Sequence, residues 1–183
     1  MPSLQKARQR MEGAIEAMRR EFAGVRTGKA SPALLDSIRV EAYGSHMPLS
    51  QVGTVTAPEP RMLTVQPWDK SLVKDIERAL RESDLGLNPS NDGNLIRIPI
   101  PPLTEERRKE YVRLLHRLAE DGRVAVRQAR KDANDEIKRR QKDGELSEDE
   151  VRREQDDVQK LTDQYVQKIE ELLKKKEAEV LEV

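Results

Sequence analysis

Residues 104–143 read as one unbroken helix of about forty residues with two unlike faces. Tyr111, Leu115, Leu118, Ala125, Ala129, Ala133 and Ile137 recur mostly three or four apart. At about 100° per residue they fall in one sector. The opposite sector collects Lys109, Arg113, His116, Arg123, Arg127, Arg130, Lys131 and Lys138. A lone apolar stripe is not stable in water, so this helix needs partner helices. Its basic face suits an anion. Pro101 and Pro102 precede it, Thr104 is placed to cap it, and Glu105 and Glu106 suit the positive end of its dipole. Gly122, on the core face, allows a second helix to come close. The helix stops near Asp143-Gly144.

Two further seams supply partners. Leu4, Met11, Met18 and Val25, with Ala7, Ala14, Ile15 and Phe22 between them, form a near-heptad stripe over residues 2–25. That helix is expected to end near Gly24 to Gly28, with Gly28 in the left-handed conformation and Pro32 preventing its return. Ser147 and Glu150 make a capping box. After it, Val151, Val158, Leu161, Tyr165, Ile169, Leu172 and Leu173 line one face of a last helix. Three such stripes bury most economically against one another, as a three-helix bundle.

Residues 31–103 differ in texture, for every proline but Pro2 lies there. Short β-type runs occur at 37–42, 51–56, 61–67 and 94–100, the last alternating Ile96, Ile98 and Ile100 with Leu95, Arg97 and Pro99. Pro99 marks an edge or a strand end. Tyr43-Gly44-Ser45 reads as a turn. Leu72, Val73, Ile76, Ala79 and Leu80 make a short amphipathic helix that Asp69 or Ser71 is placed to cap. The expected fold is therefore α+β: an elongated three-helix bundle of residues 1–30 and 104–183, with a small β/α/β domain, residues 31–103, inserted into it. Two crossings join the parts, through Ala30, Ser31 and Pro32 and through Pro101, Pro102, Leu103 and Thr104, and two crossings make a hinge.

Composition agrees with helices that share a thin core: 37% of the chain is charged and 3% aromatic, against 36% hydrophobic. With no cysteine, disulfides, thiolate metal sites and cysteine nucleophiles are excluded. No apolar run approaches the roughly 20 residues that span a bilayer. The basic N-terminus lacks the apolar region of a signal peptide. The reading is a soluble, cytoplasmic protein.

The formal net charge of zero hides a segregation. Residues 1–30 carry +4, residues 31–103 −2, residues 104–146 +3 and residues 147–183 −5. Such a chain offers a basic surface to a polyanion and an acidic one elsewhere. No catalytic constellation accompanies it. His46 and His116 have no ligand pattern around them, the acidic pairs Asp156-Asp157 and Glu170-Glu171 lie on an open helix, and Arg26-Thr27-Gly28-Lys29 lacks phosphate-loop spacing. No enzyme activity, metal or cofactor is expected. The bland reading of the basic stripe is a solvated face laced with salt bridges to Glu120, Asp132, Asp135 and Glu136. Against it stand the arginines at 123, 127 and 130, whose planar forks suit phosphate. Few aromatics are present to stack on bases, so contact with phosphates and RNA shape is favoured over base reading. Two other classes remain: a coiled-coil type adapter without RNA-dependent binding, and an RNA-processing enzyme.

Five runs, in order and with the right gaps, carry a resemblance to bacterial ribosome recycling factors: residues 25–36 (Val25-Arg26-Thr27-Gly28-Lys29-Ala30-Ser31-Pro32 onward), 83–89, 101–109, 125–135 and 155–163. Lys29 stands where the family often has arginine, which keeps the charge and loses the fork. The resemblance implies an L-shaped protein that binds the post-termination ribosome between its subunits. With elongation factor G and that partner's GTP hydrolysis, it splits the ribosome for reuse. It implies a monomer that meets large-subunit rRNA through Arg26, Lys29, Arg123, Arg127, Arg130, Lys131 and Asn134, with Arg127 and Arg130 foremost. The small domain would swing on the hinge and meet the GTPase.

Overall fold

The structure is a computed structural model and describes residues 2–182. In chain order these form α1 (Pro2–Ala23), β1 (Arg39–Ala42), β2 (Ser45–Pro48), β3 (Gly53–Glu59), β4 (Met62–Pro67), α2 (Val73–Arg81), β5 (Ser90–Asn91), β6 (Ile96–Pro99), α3 (Glu105–Lys142) and α4 (Glu148–Leu181), with 3₁₀ turns at Pro32–Leu35, Leu49–Gln51 and Lys70–Leu72. Residues up to Val25 with Arg108–Val180 make one compact unit, and Arg26–Arg107 with the residues from Leu181 on make the other.

The first unit is built from three long helices. α1 buries Ser3, Ala7, Met11, Ile15, Met18 and Phe22. α3 buries Leu115, Ala119, Gly122, Val126, Ala129, Ala133 and Ile137. α4 contributes Val151, Val158, Leu161, Tyr165, Ile169 and Leu173 among others. The three meet at Gly122, where an added Cβ would lie 3.3 Å from Met18 Sδ on α1 and 3.4 Å from Ile169 Cδ1 on α4. This shifts the expected α3 stripe. Ala125 is exposed, Tyr111 and Leu118 are half-buried, and Ala119 and Val126 hold the core beside Gly122, which lies on the core face as expected. Hydropathy weights the large residues, but close packing of two helices on a third selects the small ones.

The ends follow from local chemistry, with one departure. α1 closes at Ala23 through Gly24 N–H to Glu21 O and Val25 N–H to Phe22 O. The expected left-handed stop at Gly28 is not used, since Gly28 is not among the residues of positive φ. α3 does end on a left-handed glycine, Gly144 at φ 77°. The Glu145 N–H reaches back 2.8 Å to Arg140 O, the pattern that satisfies a helix's last carbonyls. Ser147 and Glu150 then bond each other's backbone N–H at 2.8 and 3.3 Å, opening α4. Thr104 Oγ1 accepts from Arg107 N–H at 3.2 Å at the start of α3.

The second unit holds a two-stranded sheet, β1–β2, and an antiparallel sheet in the order β3-β4-β6-β5. β2 and β5 were not expected from the sequence: β2 has a polar start and β5 spans two residues. The β1–β2 hairpin turns on Tyr43 and Gly44, between Ala42 and Ser45, with φ of 52° and 79°. Positive φ at both central residues matches strand twist, and glycine or asparagine is the usual choice at the first. Pro99 ends β6, opposite Met62 and beyond the short reach of β5, so a strand end and not an edge strand accommodates it. The core gathers Val40, Leu49, Leu63, Val65, Ile76, Leu80, Ile96 and Ile98. Asp69 caps the turn into α2, its carboxylate accepting from Ser71 N–H at 2.9 Å.

Gly53 in β3 leaves no space for a side chain, because a Cβ there would sit 2.9 Å from the backbone oxygen of Gln66. Gly53→Ala is expected to destabilise the second unit by about 1–3 kcal/mol, as overpacking against fixed backbone does. Chemical denaturation checks this: an unchanged midpoint would mean that β3 and β4 separate freely there.

Candidate RNA interface

Arg123, Arg127, Arg130 and Asn134 lie on successive turns of α3, three or four residues apart, with Lys131 next to Arg130. They form one stripe about 16 Å long at 1.5 Å per residue. Their environments differ. Arg123 is four-fifths buried in its side chain and spans two helices: Nε donates to Glu170 Oε1 on α4 at 2.7 Å and Nη1 to Glu120 Oε2 at 3.0 Å. These carboxylates, Glu170 first, hold the guanidinium above its usual pKa. Arg127 is exposed and donates to the other oxygen of Glu120 at 2.6 Å. Glu120 therefore stays ionised below the ordinary glutamate range, chiefly through Arg127 and then Arg123.

Arg130 has no acidic partner among the described residues; its one hydrogen bond is a long one, 3.5 Å from Nη1 to the neutral Gln159 Oε1. Lys131 is exposed beside Asp132, whose own cation is Arg10 of α1. The half-buried Asn134 has an Oδ1 shielded from solvent without a hydrogen-bond partner. Of the seven side chains expected to meet RNA, Arg127 and Lys131 are exposed and the half-buried Arg130 has no acidic partner among the described residues, whereas Arg123 links α3 to α4. Glu120 was named from the sequence as a salt-bridge partner of the stripe, whereas Glu170 was not. Glu120 was visible at helical spacing, but Glu170 lies 47 residues from Arg123, a pairing that only the packed helices reveal.

Arg26 and Lys29 belong to the second unit. Arg26 is half-buried; Lys29 Nζ lies 2.8 Å from Glu182 Oε2. Of the expected hinge residues, Ala30 is fastened within its unit, its N–H donating to Pro60 O at 2.6 Å. Pro32 opens a 3₁₀ turn. On the other crossing, Ile100 N–H donates to Arg61 O at 2.8 Å, while Pro101, Pro102, Leu103 and Thr104 follow without regular structure. Both crossings are thus tied, at Ala30 and Ile100, to the turn between β3 and β4. Among the described residues no group of three or more potential metal ligands occurs, and no helix is long and apolar enough to cross a membrane.

Comparison with known proteins adds a finding over nearly the whole chain. A family model described as "Ribosome recycling factor" matches residues 18–181. The ribosome-recycling factor of Rubrobacter xylanophilus is 57% identical over 180 residues, covering 98% of this chain and 97% of that protein. That of Halalkalibacterium halodurans is 56% identical over 180 residues, with the same coverage of both. A solution structure of a ribosome recycling factor is similar at a TM-score of 0.76 and 44% identity, covering 100% of this chain and 97% of the other. A second similar structure, at 0.66 and 50% identity over 99% and 98% of the two chains, gives models for the T. thermophilus ribosome recycling factor and the E. coli elongation factor G bound to the E. coli post-termination complex.

The geometry separates a structural arginine from an outward one. Arg123→Ala, which breaks a doubly paired link between α3 and α4, is expected to lower stability by about 1 kcal/mol after solvent screening. Arg130→Ala is expected to stay within about 0.5 kcal/mol of the parent. Thermal unfolding of the two variants side by side checks the order, and equal losses would contradict it.

Proposed function

The chain belongs to the ribosome recycling factor family, and we propose that α3 is the element by which it grips ribosomal RNA. It is a translation factor and no enzyme. It acts on the post-termination ribosome with elongation factor G, which supplies the GTP hydrolysis, and separates the subunits for reuse. A cytoplasmic location follows from that substrate. The observation that carries the reading is family likeness over nearly the whole chain, joined to a stripe of outward arginines on the longest helix.

Arg127, Arg130 and Lys131 are the phosphate contacts in this reading, with Arg26 and Lys29 as a second cluster from the other unit. Guanidinium forks give paired, charge-assisted hydrogen bonds to phosphate oxygens. Glu120 competes with RNA for Arg127. Phosphate contacts of this kind fix position and orientation rather than read sequence. The scarcity of exposed aromatic side chains in the first unit supports that division.

The hinge of this reading lies outside the two fastened residues. Ala30 and Ile100 are anchored to the β3–β4 turn, so bending concentrates in residues 26–29 and 101–104. Prolines at 101 and 102 narrow the backbone freedom of the second crossing.

Two outcomes test these statements. Arg130→Ala is expected to weaken ribosome binding about tenfold or more, the weight of a charged hydrogen bond, and to flatten its salt dependence by roughly one phosphate contact. Unchanged affinity in a salt titration would remove Arg130 from the interface. Shortening residues 101–104 by one residue is expected to impair subunit splitting, followed by light scattering with elongation factor G and GTP, more than it impairs binding. Equal loss of both would argue against a moving second unit.

A further inference from the structure

Two arginines of α3 share one carboxylate. Glu120 accepts from Arg127 Nη2 at 2.6 Å through one oxygen and from Arg123 Nη1 at 3.0 Å through the other. Seven residues separate Glu120 from Arg127, a rise of roughly 10 Å along the helix. The two side chains meet only by lying along the helix axis, so the bond draws the Arg127 guanidinium back towards the start of α3. Arg130, one turn further on, has no such restraint.

The fold has little need of this carboxylate. Glu120 and both its arginines belong to α3, so neither bond crosses between helices. The link from α3 to α4 is made by Arg123 Nε on Glu170 at 2.7 Å and stands without Glu120. Exposed pairs within one helix add little to stability. What Glu120 does is neutralise Arg127. The two arginines, Arg127 first, keep its carboxyl below the ordinary glutamate range, so it competes as an anion at neutral pH.

A phosphate that takes Arg127 must displace Glu120. The displaced carboxylate does not move away, because Arg123 still holds it, and Arg123 is four-fifths buried in its side chain and tied to Glu170. Glu120 therefore stays within reach of Arg127 at a high effective concentration, while a phosphate oxygen has to arrive from outside. A factor that separates ribosomal subunits for reuse must also leave them, and a tethered competitor speeds leaving.

We infer that Glu120 is a release residue, an intramolecular competitor that restrains Arg127 and recaptures it when its phosphate contact loosens. The inference rests on the functional reading above, in which Arg127 meets phosphate, and adds a positioning residue that acts through it.

The chain has no cysteine, so Lys74→Cys, exposed on α2, accepts a single fluorophore. Labelled factor is bound to post-termination ribosomes without elongation factor G and chased with excess unlabelled parent. Glu120→Gln and Glu120→Ala are each expected to leave about fivefold more slowly than the parent, the upper range for an exposed ion pair. Association is expected to change by less than about twofold, since changes within one interface fall mainly on dissociation. Arg127→Ala is expected to leave faster, and on that background either change at Glu120 alters release by less than about twofold. Glu120→Gln keeps the shape of the side chain and carries the test if Glu120→Ala fails to fold by circular dichroism. Single variants that leave at the parent's rate or faster, while Arg127→Ala loosens binding, overturn the inference alone. So does an undiminished slowing on the Arg127→Ala background, which marks a general field effect of the lost charge. An Arg127→Ala chain that binds and leaves as the parent does removes Arg127 from the interface, and overturns the functional reading at that residue and this inference with it.

Discussion

A helix with one apolar seam is unstable in water until that seam is covered, and each long helix of the first unit has only one. The close approach at Gly122 is where that need is met. Met18 and Ile169 pack there against the bare α-carbon of α3, and Ala119, Ala129 and Ala133 continue the same small-residue line. Close helices bury their seams with little side-chain volume. That is why a chain with one tryptophan, one phenylalanine and three tyrosines can still complete a core. The thin core has a second effect, for it leaves most of each helix's circumference in solvent and free to carry charge.

How that charge is used depends on pairing across helices. Glu120 engages two arginines on its own helix, and Glu170 reaches over from α4 to the more buried of them. Tyr165 on α4 donates to Glu12 on α1 at 2.6 Å; burial first, and this bond second, raises its pKa. Arg140 on α3 meets Glu154 on α4 at 3.2 Å. Partly exposed links of this sort add little stability each, but they restrict sliding and rotation between helices. Arg130 stands outside this pairing, with a single long bond to the neutral Gln159.

The three seams were legible because each rests on a period of 3.6 residues, which a linear sequence displays directly. The caps at Thr104 and Ser147 were legible for the same reason: their partners lie three residues away. What could not be read is what depends on residues far apart or on strain accepted locally. The seam of α3 is rotated from the expected stripe because neighbouring helices select Ala119 and Val126 over Leu118 and Ala125, a choice made by packing. Gly28 looked like a helix stop by composition, but the chain turns earlier through Gly24 and Val25. At the basic stripe of α3, the residue types were visible and their partition was not, since Glu170 is distant in sequence. The turn at Tyr43 was visible, yet nothing in its composition foretold that a tyrosine would take the left-handed position.

A factor that acts by binding shifts an equilibrium only by binding one state of its target more tightly than another. Moving a two-state system from one-sided to the opposite takes roughly 5.5 kcal/mol of differential affinity. Stiffness serves that end, since a rigid row of charges at fixed spacing fits one arrangement of anionic groups and misses another. The cross-helix pairs that add little to stability hold the row at its spacing. Arg123, held by two carboxylates, fixes α4 against α3, while Arg127 and Arg130 one and two turns on remain outward. The same pattern recurs in the second unit, where Asp69 and Thr54 fix the rings of Tyr43 and Trp68 without burying them. In both units the polar bonds hold exposed or half-exposed side chains in one geometry, and the apolar cores beneath carry the stability.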